Sequence, residues 1–366
     1  MRKKLAIIGA SYLQLPLIER AKELGFSTHV FAWAADDVGE KAADHFYPIS
    51  ITEKEMIAEK CREIGICGVC SIATDLGAIT VNYVANELGL PGNSMDCAVK
   101  STNKHLMRRV FEENGDPSPR SIQVDEETDL SSLRLSYPVI VKPTDRSGSR
   151  GIFKLDGPEG LREAIRGSIG QSFEKKALIE EFAEGQEYSV EGISFRGEHH
   201  ILAVTLKYTT GAPHFIETGH LEPAPVSAEL RRKVEMVVMH ALSSLGIENS
   251  ASHSELKIDK DGNIKIIEIG GRMGGDCIGS DLVQYSTGID YIRAVIQVAC
   301  GEEPDLAPMH GPIPAEVRFI FNEQDVAEMK RLQKTDRFIK LINFHPEYLG
   351  KATNSSDRAG CYLIKV

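Results

Sequence analysis

The residues with the plainest capacity for chemistry lie between Ser250 and Asp276, in the stretch SASHSELKIDKDGNIKIIEIGGRMGGD. An alternating run at residues 254–258, an Asp261-Gly262 turn and a second run at 264–269 predict a β-hairpin. Glu255 and Glu268 then fall in facing strands. Two carboxylates held together repel unless a cation lies between them. Hard oxygen ligands of this kind suit Mg²⁺, which keeps several waters and takes one or two carboxylates plus substrate phosphates. Arg272 follows Glu268 by four residues, after Gly270 and Gly271. A fixed cation there can stabilise negative charge that develops in a transition state. Solvated acids on a surface hairpin would carry the same letters, so the rest of the chain decides between the two.

At 366 residues the chain is long enough for two or three domains. A net charge of −11 argues against a general binder of nucleic acids or acidic membranes, which needs clustered Lys and Arg, but leaves room for a nucleotide pocket with a few local cations. Residues 5–10 are too short an apolar run for a signal peptide, and no run approaches a membrane span, so a cytoplasmic enzyme is expected. Seven cysteines in such a chain predict buried thiols rather than a disulfide framework, including the Cys67-Gly-Val-Cys70 pair in its strand-like run.

The elements that must position these residues follow in order. Residues 4–9 read as a buried strand, 13–24 as a helix and 25–32 as a second strand. A helix near 53–64, a strand near 68–72 and a helix near 79–88 continue an open parallel sheet. The first turn, Gly9-Ala-Ser-Tyr-Leu-Gln14, lacks the further glycines of a dinucleotide fingerprint, which disfavours NAD. Lys104 opens a helix that runs to about Asn114, either as an exposed helix lysine or as a phosphate contact. An apolar strand delivers Lys142, and Pro143 ends it. The loop Ser147-Gly148-Ser149-Arg150-Gly151 then offers unhindered backbone N–H groups that can fold over phosphates, although no P-loop occurs anywhere. Residues 177–183 form another strand end, which can offer backbone N–H and C=O groups to an adenine edge, while an acidic residue a few positions later can take ribose hydroxyls. Lys207, His214, Glu217 and His220 fall in or beside a polar segment, 208–225, read as a substrate-contacting loop before a helix at 228–245. Residues 282–298 read as one helix, 304–314 as a linker, and 315–366 as a small β-rich unit.

Taken together in this order, these elements resemble the ATP-grasp superfamily of carboxylate–amine ligases over essentially the whole chain. The resemblance implies an α/β chain with an α+β nucleotide clamp. Residues 1–98 would be a parallel-sheet substrate domain. Residues 99–305 would be the ATP-grasp domain, with a mobile lid at about 120–185, and 306–366 a small C-terminal β-rich domain. It implies ATP with Mg²⁺, or Mn²⁺ in its place. Lys104 and Lys142 would contact phosphates under the loop of Ser147, Gly148, Ser149 and Gly151. Glu180, Phe182 and Ala183 would line the adenine, Glu187 the ribose, and Glu255 and Glu268 would ligate the metal. The segment Glu217-Thr-Gly-His220, the 13-residue spacing of the two glutamates and Arg272 are similar to those of bacterial L-amino acid ligases. That similarity puts Arg272 on the carboxylate and acyl phosphate and His220 near the reacting centre. Many members carry Asn where this chain has Gly270, which leaves a second metal with fewer ligands or with another, such as Asp276.

The implied reaction is amide formation between a small carboxylate and an amine through an acyl phosphate, releasing ADP and phosphate. Small-molecule partners, no nucleic acid, no membrane and a homodimer go with it. A purine-pathway reading, phosphoribosylglycinamide synthetase-like or aminoimidazole ribotide-carboxylating, would need an extra cationic site that the sequence does not show. A non-catalytic nucleotide-binding protein would have no need of Glu255, Glu268, Lys142 and Arg272 together.

Overall fold

The strand Lys4–Ile8 points Leu5 and Ile7 into one hydrophobic cluster and Ala6 and Ile8 into another, as the two-residue period of a strand buried on both faces requires. In this computed structural model, which describes residues 2–146, 148, 150–211 and 215–366, it sits inside a four-stranded parallel sheet. The order is His45–Tyr47, Ser27–Phe31, Lys4–Ile8, Gly68–Cys70. Helices Lys54–Ile64 and Asp75–Leu88 contribute to the cluster on one face. On the other face, Leu15–Glu23 is joined by Tyr291–Ala299, a helix nearly three hundred residues further along the chain. The parallel sheet is therefore buried against the rest of the protein.

The helix predicted near 79–88 starts at Asp75, because the Thr74 hydroxyl caps it by accepting the Gly77 N–H at 3.2 Å. A parallel bridge from Ile72 to Met273 ties this turn to the segment that follows the hairpin.

A second, antiparallel sheet runs Ser121–Val124, Ala177–Glu181, Val139–Pro143, Phe153–Leu155, with Leu161–Gln171 packed against it. The third sheet has eight strands, in the order Ile264–Gly270, Ser250–Ile258, Gln186–Phe195, Glu198–Thr209, Glu217–Glu222, Ala315–Ile320, Gly360–Lys365, Phe338–Phe344. Two expectations change here. The polar segment 208–225 is not simply a loop, since Glu217–Glu222 is a strand between Glu198–Thr209 and Ala315–Ile320. Its buried positions include His220 and Glu222, so no hydrophobic alternation announced it. The strands of 315–366 continue this same sheet, while Glu323–Leu332 gives them a core of their own.

The helix expected over 282–298 is broken. A π-turn, Ile278–Leu282, leads into Val283–Thr287, and a new helix, Tyr291–Ala299, begins after Gly288. Gly288 has φ +77°, and a Cβ there would lie 2.6 Å from the His310 carbonyl oxygen, so only glycine fits the break. All seven cysteines are free thiols. Five are buried, Cys70 among them, while Cys67 is half-buried with its Sγ 3.8 Å from that of Cys300. No helix among the described residues is long and apolar enough to cross a membrane.

Glu222 lies wholly inside the large sheet, where one oxygen accepts from Thr205 at 2.7 Å. Burial pushes its carboxyl up to about 8 from an ordinary 4.5. The folded chain thus retains a proton that the unfolded chain releases, and this contribution to stability is full below the unfolded value and lost as pH rises through about 8. Glu222→Gln should flatten that limb: Tm at about pH 9 should exceed that of the wild type, with little difference at about pH 5. Parallel pH–Tm profiles for the two proteins would rule this out.

Candidate active site

The hairpin forms as its sequence dictates, Ser250–Ile258 against Ile264–Gly270, with Glu255 directly opposite Glu268 and a bulge just after Glu255. Each carboxylate meets a lysine. Lys207 Nζ lies 2.5 Å from Glu255 Oε1, and Lys104 Nζ lies 2.7 Å from Glu268 Oε1 and 2.9 Å from the Arg146 carbonyl. Of the two readings left open for Lys104, the exposed one fails: it is 5% exposed, turned inward from a helix capped by Asn103.

Lys207 is 3% exposed and stands among three carboxylates, with Glu187 at 3.0 Å and Glu217 at 3.8 Å in addition to Glu255. Burial opposes its charge, but Glu255, Glu187 and Glu217 outweigh it and hold the ammonium well above its ordinary pKa. Burial likewise opposes Glu255, and Lys207 followed by His253 keeps it well below the usual carboxylate range.

Lys142 is 4% exposed on its strand, with Nζ 2.6 Å from Glu180 Oε2. Arg108 lies 2.9 Å from the other oxygen of Glu180, close enough for an ion pair though poorly aligned for a hydrogen bond. Burial lowers the Lys142 pKa, partly offset by Glu180. Glu180, despite burial, is drawn below its ordinary value by Arg108 and Lys142. Phe182 carries Lys154 and Lys257 over its ring at 4.7 and 5.2 Å. Its backbone N–H is used by the Pro138 carbonyl, which fixes the turn that presents Ala183. Gly148 and Gly151 adopt φ of +73° and +68°. Ser147, Ser149 and His214 lie outside the described residues.

Arg272 Nε donates to Asp75 at 2.7 Å. Burial disfavours both charges, but their mutual attraction raises the arginine and lowers the aspartate. A Cβ at Gly270 would sit 3.3 Å from the guanidinium, so the missing side chain leaves Arg272 its place. His220 is 0% exposed, edge-on to Phe319, and neither ring nitrogen has a hydrogen-bond partner. Its Nε2 is 4.0 Å from Asp276, and burial lowers its pKa, leaving a neutral imidazole. Asp276, considered above as a substitute metal ligand, pairs with Arg358 at 2.5 and 3.1 Å.

Sequence reasoning missed Asp75, Arg358 and the pair Glu191–His253, and it named Lys207 without its central place. Glu191 and His253 are cross-strand neighbours. The glutamate bonds His253 Nδ1 and accepts the Gly274 N–H at 3.1 Å, while His253 Nε2 lies 3.3 Å from Glu255. Burial opposes a charge on His253, yet Glu191 raises it to about 9. The pair thus supports both Glu255 and the glycine loop. Strand register counted from the hairpin could have found it; nothing in the sequence pointed to Asp75 or Arg358.

Lys104, Lys142, Lys207, Glu255, Glu268 and Arg272 line one cavity of about 480 Å³, within the roughly 300–1,000 Å³ of small-molecule sites. Among the described residues, no group of three or more His, Cys, Asp or Glu is arranged as a metal cage. A pair such as Glu255 and Glu268 is nevertheless the kind of donor set that Mg²⁺ uses when phosphates complete its shell. The lysines now opposite them supply the counter-charge that such carboxylates demand.

Three layers of this kind, a parallel-sheet unit, a smaller antiparallel sheet and a large antiparallel sheet around one charged cavity, are the ATP-grasp fold. Residues 135–281 match the ATP-grasp domain family. Its fold is similar to that of an L-amino acid ligase from Bacillus licheniformis, with a TM-score of 0.83 at 25% identity over 100% of this chain and 93% of that one. It is also similar to a phosphoribosylglycinamide synthetase from Anaerococcus prevotii, with a TM-score of 0.79 at 23% identity over 100% and 94%. In sequence it is 27% identical over 290 residues to an alanine–anticapsin ligase of Bacillus subtilis, covering 72% of this chain but only 60% of that relative.

Lys207→Met leaves Glu187, Glu217 and Glu255 crowded without their shared cation. The variant should lose about 3 kcal/mol or more of unfolding free energy, the scale for removing one partner of a buried ion pair. Urea denaturation checks this, and an unchanged midpoint would show that the three glutamates do not depend on Lys207.

Proposed function

We propose that the protein is an ATP-dependent carboxylate–amine ligase acting on amino acids or similar small substrates. The observation that carries this is the convergence of Glu255, Glu268, Lys104, Lys142 and Arg272 on a single cavity. A module that merely bound a nucleotide would have no use for a buried arginine beyond the paired carboxylates.

On this reading Lys104 and Lys142 hold phosphates of ATP, Glu180, Phe182 and Ala183 border the adenine, and Glu187 takes the ribose. The glycine loop shuts out the water that would hydrolyse an acyl phosphate. Glu255 and Glu268 are the residues that would hold Mg²⁺, which when bound offsets phosphate charge. Arg272 binds the reacting carboxylate and then the acyl phosphate, stabilising the charge that builds as the amine attacks. His220, neutral and without a partner, accepts a proton from that amine.

The direct test is ADP release with Mg-ATP over pairs of amino acids and small carboxylates, with product masses. Release that requires two substrates and yields their condensed mass is expected. Turnover with aminoimidazole ribotide and bicarbonate, or with phosphoribosylamine and glycine, would replace this reading by the purine one. Arg272→Ala should lower kcat by ~10²–10³ with a much smaller change in ATP affinity. Near-normal turnover would remove Arg272 from its role.

A further inference from the structure

The cavity wall also contains a second arginine–aspartate pair that the reaction so far does not use. Arg358 comes from the turn before the strand Gly360–Lys365, and Asp276 from the glycine loop after the hairpin, where it adopts φ +51°. The guanidinium is 7% exposed, lies 3.7 Å over the Phe319 ring and reaches the Glu217 carbonyl at 3.4 Å. Asp276 is more open to the cavity than Arg358 and stands 4.0 Å from the unpartnered Nε2 of His220.

Joining two amino acids puts two carboxylates into one cavity. One is activated and belongs to Arg272. The other stays a carboxylate throughout and needs a cation of its own. Lys104 and Lys142 serve the phosphates, Lys207 is shared by three glutamates, Lys257 covers Phe182, Arg146 stacks over Phe173, and the exposed Arg150 lies in the electrostatic range of Asp357. Arg358 is the lining cation placed beside both the proposed proton acceptor and an acid that can take an ammonium. Building on the ligase reading, we propose that Arg358 and Asp276 form the subsite for the nucleophilic substrate, and that this substrate is an amino acid recognised as a zwitterion, carboxylate on Arg358 and ammonium on Asp276.

The chemistry then balances. The ammonium on Asp276 gives one proton to His220, and onward to solvent, and the freed lone pair attacks the acyl carbonyl carbon. A C–N bond forms, and the C–O bond to phosphate breaks with its electron pair going to the phosphate, which takes up the second proton from nitrogen.

The test compares one amino acid with its carboxamide as nucleophile, under saturating acyl donor, by ADP release and product mass. The carboxamide has no carboxylate to activate, so it acts as amine alone. In the wild type the acid should exceed the amide in kcat/KM by about tenfold or more, because the amide leaves Arg358 without its counter-charge. In Arg358→Gln the kcat/KM for the acid should fall by about tenfold or more, chiefly through KM, and the acid-to-amide ratio should collapse toward one, with partial recovery in Arg358→Lys. Equal use of acid and amide by the wild type would overturn the proposal, and that comparison stands even if the variants do not fold. Equal losses for both nucleophiles in a folded Arg358→Gln would overturn it too, while leaving the ligase reading intact. No amine-dependent ADP release with either nucleophile would overturn the ligase reading and this inference together.

Discussion

The like-charge crowding of carboxylates around Lys207 is the constraint on which the rest of the site rests. Glu187, Glu217 and Glu255 come from three strands of one sheet and meet on one buried ammonium. Close-set carboxylates in a poorly solvated place would otherwise take up protons. With Lys207 in place Glu255 stays ionised, and only an ionised carboxylate can exchange a lysine for a metal ion. The arrangement favours a site in which bound cations replace internal ones, rather than one that holds a bare cluster of acids open.

The same logic ties the layers to one another. Glu268 is balanced by Lys104 from a helix start, Glu180 by Lys142 and Arg108 from the smaller sheet and that same helix, and Arg272 by Asp75 from the parallel-sheet unit. Each pair spans separate elements, so the cavity holds its charge balance only when the layers are assembled. The apolar counterpart is the helix Tyr291–Ala299, which follows the hairpin in sequence yet packs on the first helix and the strand Gly68–Cys70 of the parallel-sheet unit. Electrostatics and packing therefore couple the same parts.

How much of this was legible depended on whether a residue's partner lay nearby in sequence. The hairpin, its facing glutamates, the strand-borne Lys142 and the opening βαβ unit all rest on local periodicity and turn chemistry, and they could be read directly. Glu217–Glu222 could not, because its buried positions carry polar groups for the cavity and break the alternation that marks a strand. Asp75 looked like an ordinary residue until Thr74 was seen to cap its helix beside Met273. Arg358 has no neighbour in sequence that hints at a role; its partner is 82 positions away. The false helix over 282–298 had apolar spacing that ran straight through Gly288, where the backbone turns to φ +77° beside residue 310 and leaves no room for a side chain.

On the proposed reading, the substrate end of the cavity differs in kind from the nucleotide end. There both cations are arginines, each already matched to an aspartate, Arg272 to Asp75 and Arg358 to Asp276. Such pairs are largely desolvated before any ligand arrives, so a zwitterion can exchange one set of charge partners for another with little further loss of hydration. A ligand bearing one charge would satisfy one member and strand the other in a buried place, which costs far more than it gains. A neutral ligand would have to leave both pairs closed and so would find less room. On the proposed reading, discrimination therefore lies less in the shape of the cavity than in the requirement that every buried charge be matched before and after binding.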